Sequence, residues 1–289
     1  LCLTPMYSNY AIKNTIIQLT LFLFVACIPA YFTNKMSYVD VAWPWGLVAI
    51  GVQAIAFGDG NPTRTYIIGS LFIIAGLRMG LMALFYLMSG ALKKDLPRYQ
   101  FQRIQWKMQG FTNEAFSLQY EILVQGLANA SFLALPAILQ AFNPNPEISH
   151  IEIIGYSLWA ISFILEMVSD FQKANFVKET RKQNLKNQIC NVGLWKYSRH
   201  PNYFFEWMVW NSLIISSIPS LFELEGKLPI YIIVLIGIGL LFISKLLYTT
   251  LVDYTGARPA EYYSIRKRPA YKEYQKTTNM FFPGPSKNI

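Results

Sequence analysis

Apolar residues fall in long runs along this chain, and a run of ~20 is the length that crosses a bilayer core as a helix. Seven such runs predict seven spans, over residues 15–32, 38–57, 66–88, 116–139, 151–168, 203–218 and 228–251. Each carries few polar interruptions. Asp40, Trp43, Pro44 and Trp45 lie in the second, Arg78 in the third, Gln119, Glu121 and Gln125 in the fourth, and Glu166 in the fifth. The sixth is short and is broken by Glu206 and Asn211, and Lys245 lies near the end of the seventh. The first run continues for a full span, so it reads as a helix rather than a cleavable leader.

Charge placement fits this layout. Twenty of the 25 basic residues fall on alternate connections, at Lys35, in 89–115, in 169–202 and in the tail after Val252. Basic residues mark the cytoplasmic side. The fold expected is therefore an all-α membrane protein of seven transmembrane helices, with the N-terminus outside and the C-terminus cytosolic. The net charge of +9 is then topological, which excludes nucleic acid as the partner and leaves membrane lipids. Only 14% of residues are charged and 53% are hydrophobic, against roughly 25% charged in a soluble domain. No change in composition marks a second domain, so residues 1–289 read as one polytopic domain. Cys2, Cys27 and Cys190 lie far apart, and His150 and His200 are the only histidines. That spacing argues against a disulfide framework or a metal centre.

The chemistry-bearing residues gather where the sixth run begins. Gly193-Leu-Trp-Lys-Tyr-Ser-Arg-His-Pro-Asn-Tyr-Phe-Phe-Glu206 places Arg199, His200, Asn202, Tyr203 and Glu206 within eight positions. Polar groups of this kind are costly in a membrane and mark function by default. Pro201 suits a first helical turn, and the free backbone N–H groups there attract phosphate. Arg199 and His200 add donors, and Trp195, Tyr197 and Tyr203 offer faces for a flat ring. The competing interpretation is that Lys196 and Arg199 merely anchor the helix to headgroups. Glu166 and Asp170, four residues apart, are followed by Gln172 and Lys173. They could hold a ribose hydroxyl or an amide, or simply form an exposed face. Lys178 and Arg181 continue the basic segment toward an anionic cofactor or lipid. Arg258, Glu261, Tyr262, Tyr263, Arg266 and Arg268 form a further cluster in the tail. Asp40 reads either as half of a structural ion pair or as an acid in an apolar pocket. Neither a G-x-G-x-x-G nor a Walker loop is present.

The 193–206 stretch resembles the C-terminal signature of the steroid 5α-reductase-like membrane family. Asp170-Phe-Gln-Lys173, Lys267-Arg-Pro-Ala-Tyr-Lys-Glu-Tyr274 and Phe281-Phe-Pro283 fit the same pattern. Val39-Asp-Val-Ala-Trp43 and Val124-Gln-Gly126 resemble its weaker N-terminal marks. Phe205 departs from it, standing where the family usually has Gly. The resemblance implies a reductase that uses NADPH to deliver hydride to the β-carbon of an enone, typically a 3-oxo-4-ene steroid. Helices in 1–140 would serve the substrate, and 151–289 would hold the cofactor. Asp170, Tyr197, Asn202 and Glu206 would hold nicotinamide and ribose. Arg199, His200, Arg258 and Tyr263 would hold phosphate or adenine, with Glu166, Lys173, Lys178, Arg181, Trp195, Tyr203 and Tyr262 completing the cofactor set. Asp40 would grip the substrate carbonyl together with a tyrosine, for which Tyr38 and Tyr86 are the candidates. The likeness to the bacterial branch implies a monomer in a bacterial inner membrane, with the cofactor side cytosolic and a steroid or sterol-like lipid arriving from the bilayer. Three alternatives stay open: an S-adenosylmethionine-dependent methyltransferase of the isoprenylcysteine type, which shares the Arg-His-Pro element; a non-enzymatic binder or transporter of sterol-like lipids; and a reductase of another sterol double bond or of a fatty enoyl chain.

Overall fold

The computed structural model describes residues 5–287, in which every regular element is helical. Cys2 lies outside the described residues. In order, the helices are α1 (Pro5–Phe22), α2 (Ile28–Thr33), α3 (Val39–Phe57), α4 (Pro62–Met88), α5 (Pro97–Met108), α6 (Glu114–Ala130), α7 (Leu135–Ala141), α8 (His150–Lys182), α9 (Pro201–Phe222), α10 (Ile230–Thr249), α11 (Ala257–Lys267) and α12 (Tyr271–Thr277). A π-helical turn, Leu23–Cys27, joins α1 to α2, and a second, Thr250–Tyr254, follows α10.

Six helices among the described residues are long and apolar enough to cross a membrane: Tyr7–Thr33, Met36–Phe57, Pro62–Met88, Glu114–Ala141, His150–Lys182 and Ile230–Lys267. The expected count of seven is thus corrected to six, and the missing one is 203–218. Its helix, α9, carries Asn202, Glu206, Asn211, Ser212, Ser216, Ser217 and Ser220. Those four serines are at most 1% exposed, so the polarity that lowers its hydropathy faces protein. The fifth expected run, 151–168, is also longer than its apolar part. As α8 it has 33 residues, about 50 Å at 1.5 Å per residue, against roughly 30 Å of hydrocarbon.

The chain divides into two compact units, residues 1–153 with 214–243, and 154–213 with 244–289. In the first unit α3 and α4 pack almost backbone to backbone. A Cβ added at Gly51 would lie 2.4 Å from the Gly69 carbonyl oxygen, and one at Gly76 would lie 2.6 Å from that of Pro44. Such small-residue contacts replace the hydrophobic drive that lipid does not supply. Buried amides complete the packing. Asn14 donates to the Ala130 carbonyl at 3.1 Å, at the break between α6 and α7, and its Oδ1 accepts from Gln18 and Gln53. Gln140 donates to Ser216 and Ser217 at 3.0 Å each, and Asn143 to Ser220 at 2.9 Å.

The loop 89–115 folds rather than trailing. Asp95 accepts from Met36 N–H at 3.0 Å and from Ser37 N–H at 3.2 Å, capping the turn that opens α3. Arg103 binds Asp95 at 2.9 Å and the Asn34 carbonyl at 2.7 Å. This latch fixes α5, whose Tyr99, Gln102 and Trp106 are buried.

In the second unit, α9 and α10 are joined by Trp207 donating to the Ser244 carbonyl at 3.0 Å and by Ser244 donating to Asn211 at 2.8 Å. Phe204, Trp207, Tyr248, Phe281 and Phe282 form one aromatic cluster, with ring centroids 5.2–6.2 Å apart. Phe205 packs edge-on against Phe204 at 5.2 Å.

Candidate functional site

Two polar corners stand out, one in each unit. In the first, Asp40 sits in the first turn of α3. Its Oδ1 accepts a short hydrogen bond from the Tyr99 hydroxyl. Its Oδ2 lies 2.6 Å from Arg98 Nη2, so Asp40 does sit in an ion pair. Arg98 also lies 5.2 Å from the Tyr99 ring centre. Tyr99 is 3% exposed, and burial, then the Asp40 charge, hold its phenol well above the ordinary value. The tyrosine at Asp40 is thus Tyr99. Tyr86 lies on α4, 45% exposed, its ring tilted against Phe85. Tyr38 packs on the apolar cluster of Met36, Val39 and Ala42. Tyr99 lies in a basic loop that hydropathy passes over; the spacing of Tyr99, Gln102 and Trp106 after Pro97 is the helical signal that finds it.

The second corner is built by α8, the 193–206 stretch and the tail. Gly193 has φ +53°, and an added Cβ there would lie 2.4 Å from the Gln172 amide. Gln172 in turn accepts from Leu194 N–H at 2.9 Å. The glycine and the glutamine of the two motifs are therefore one device. Trp195 is buried, donates to the Ser169 carbonyl at 2.9 Å, and has Lys173 Nζ 4.2 Å from its ring centre. The Tyr274 hydroxyl donates to the Trp195 carbonyl.

Arg199 proves to be a clamp. Nε and Nη2 donate to Glu261 at 2.6 and 3.1 Å, and Nη1 donates to the carbonyls of Gln275 and Thr278. Both charged side chains are 9% exposed. His200 Nε2 is 3.2 Å from the same carboxylate, and its ring stacks on Tyr203 at 5.4 Å. Burial pushes the His200 pKa below its ordinary value, opposed in part by the Glu261 contact, so the ring is neutral near pH 7. Arg199 and His200, expected at a phosphate or adenine, both meet Glu261 of α11, and Arg199 also bonds to the carbonyls of Gln275 in α12 and Thr278 after it.

What remains open lies beside them. Asn202 Nδ2 donates to Asp170 Oδ1 at 3.0 Å, while Asn202 Oδ1 is buried with no hydrogen-bond partner. A buried orphan acceptor at a site of this kind calls for a donor. Asp170, Lys173, Ala174, Val177, Lys178, Arg181 and Lys182 line a groove of about 700 Å³ along α8. Lys178 and Arg181 are exposed there, and cations spaced along one helix face suit phosphate. Cys190 nearby is a buried thiol whose pKa burial raises and Lys173 partly restores.

The other expected residues distribute as follows. Glu166 is buried, Glu206 and Tyr203 are half-buried, and Tyr197 is 52% exposed. Arg258 pairs with Asp253 at 2.5 Å on the surface. Tyr262 and Tyr263 stack edge to face, with Arg266 3.5 Å from the Tyr262 ring centre. The structure thus joins Asp170 to Asn202, Lys173 to Trp195, and His200 to Tyr203.

Comparison with known proteins gives a family without an assigned activity. The family described as "Protein of unknown function (DUF1295)" matches residues 26–278, a span that takes in both corners. An uncharacterized protein of Schizosaccharomyces pombe is 23% identical over an alignment of 268 residues, covering 87% of this chain and 73% of that one. No solved structure matches the chain.

Proposed function

This chain belongs to the DUF1295 family, and we propose that it is a multi-pass membrane reductase that uses NADPH to reduce the carbon–carbon double bond of an enone lipid, of the 3-oxo-4-ene steroid class. The observation that carries the proposal is the unpartnered Oδ1 of Asn202 at the start of α9, whose amide nitrogen donates to Asp170 of α8. A nicotinamide carboxamide N–H is a donor of the kind that atom lacks. The resemblance of 193–206, 170–173 and 267–274 to the steroid 5α-reductase-like signature points the same way.

NADPH supplies hydride when bound. Asp170 orients Asn202, Asn202 and Tyr197 hold the nicotinamide and ribose, and Lys178 and Arg181 take the phosphate role that Arg199 is too committed to fill. The Asp40–Tyr99 pair faces the substrate carbonyl, where a donor fixed in place stabilises the charge that builds on oxygen. Arg199 and Glu261 act behind the site as the clamp that holds its shape. The protein sits in the bacterial inner membrane as a monomer. The first described residues lie outside, and α9, too polar to count among the six apolar helices, is read as a further crossing shielded by protein, so that the segments 89–115, 183–200 and 252–287 all face the cytosol. Ser198 and Arg199 bond to residues 279–281, which keeps the tail beside the start of α9.

The test is NADPH oxidation by the purified protein across a panel of 3-oxo-4-ene steroids, with product mass. A product two hydrogens heavier supports the proposal. S-adenosylmethionine consumption with methyl transfer, or no nucleotide turnover with any enone, sinks it.

A further inference from the structure

We infer that Arg98 is a positioning residue that sets the number of protons held by the Asp40–Tyr99 pair, leaving Tyr99 as the one group that donates to a substrate oxygen. The identity of that oxygen rests on the reductase proposal; the proton count does not. A carboxyl in an apolar corner of a membrane protein takes up a proton unless a cation answers its charge. Arg98 Nη2 stands 2.6 Å from Asp40 Oδ2, so the carboxylate is matched. The remaining proton lies on Tyr99, whose hydroxyl donates to the other oxygen of the same carboxylate. Tyr38 and Cys27 pack against the same apolar cluster as Tyr99. Asp95, Arg103 and Glu114, charges of the same loop and the start of α6, answer one another: Arg103 binds Asp95 at 2.9 Å and also pairs with Glu114.

This arrangement divides the labour at the carbonyl. As hydride reaches the β-carbon, the π pair of the double bond moves to leave an enolate with its charge on oxygen. Tyr99 turns its O–H from Asp40 to that oxygen. Asp40 does not become an orphan when it loses Tyr99, because Arg98 stays with it. Burial and the Asp40 charge keep the Tyr99 phenol protonated, so it stabilises the oxygen by a hydrogen bond and gives up no proton. The α-carbon takes its proton from water, which leaves as hydroxide. A bland alternative exists, in which Arg98, 35% exposed on a basic loop, only anchors α5 to headgroups.

Infrared difference spectroscopy of the full-length protein in detergent separates the two. At pH 7, wild type minus Asp40→Asn is expected to show a carboxylate band and no protonated-carboxyl C=O band. Arg98→Gln minus the Arg98→Gln/Asp40→Asn double variant is expected to show the protonated band, and Arg98→Lys to abolish it. A carboxylate retained in Arg98→Gln overturns the inference in favour of the anchor. So does a protonated Asp40 in the wild type, a reading that needs no variant at Arg98 to fold. No steroid enters the measurement, so failure of the reductase proposal would leave this result standing, and the reverse.

Discussion

The Asp40 corner and the Asp170 corner each set a carboxylate against a polar neighbour, and they differ in what is left over. Around Asp40 both oxygens face a partner: Oδ1 takes the Tyr99 hydroxyl, and Oδ2, which accepts no hydrogen bond, is answered by the Arg98 charge 2.6 Å away. Around Asp170 an acceptor remains, the buried Oδ1 of Asn202. A closed, charge-matched set is one that a ligand must open by competing for a bond already made. An orphan acceptor is one that a ligand completes. The first suits a group that acts on a passing substrate, and the second suits a tightly held cofactor. A third arrangement, Arg199 with Glu261, is closed and also buried, which suits a clamp that holds shape.

The sharpest way to break this comparison is at the clamp. Glu261→Gln strips Arg199 of its counter-charge, and unpairing a buried charge costs about 3–5 kcal/mol. Thermal unfolding in detergent is expected to show that loss. Unchanged stability with weakened nucleotide affinity would instead return Arg199 to ligand binding. Next in size is the first corner. Tyr99→Phe is expected to lower turnover by about 10²–10³, the effect of removing one fixed donor at a developing oxyanion, while Tyr86→Phe stays near wild type. Asp40→Asn is expected to lower turnover while NADPH affinity is preserved; equal loss of both would merge the two corners. Asn202→Ala should show the converse. Losing one hydrogen bond of about 1–1.5 kcal/mol raises the NADPH Kd by about fivefold to tenfold in a direct titration.

The smallest effect is in pH. His200 is neutral in the fold because burial lowers its pKa, whereas an unfolded histidine binds a proton near pH 6.5. The unfolded state therefore holds more protons as pH falls through that value, and stability declines with it. Denaturation measured between pH 7 and pH 5 is expected to show this decline, flattened in His200→Gln. An unaltered slope in that variant would mean the ring is not buried neutral.

Much of this was legible in the sequence, and the gaps have physical causes. Six of the spans are apolar runs, so lipid exposure writes them directly. Helix α9 is not written that way, because its serines face Gln140 and Asn143 rather than lipid. The pairing of Asp170 with Asn202 could be expected from the motifs that carry them. The commitment of Arg199 could not, since whether a buried cation binds phosphate or carboxylate depends on Glu261, 62 residues away. Tyr99 and Arg98 stayed hidden because α5 is short and basic, and an amphipathic helix in a loop gives no apolar run. The groove along α8 was foreshadowed only in part: the basic residues were visible, but not that the helix carries them 14 residues past position 168.

The claim at the centre is that the orphan acceptor beside Asp170 belongs to a nicotinamide cofactor. Native mass spectrometry of the purified protein, followed by identification of any released nucleotide, tests it most directly. NADP(H) recovered from the wild type and depleted in Asn202→Ala is the expected result. S-adenosylhomocysteine, or NADP(H) retained at equal occupancy in Asn202→Ala, would contradict it.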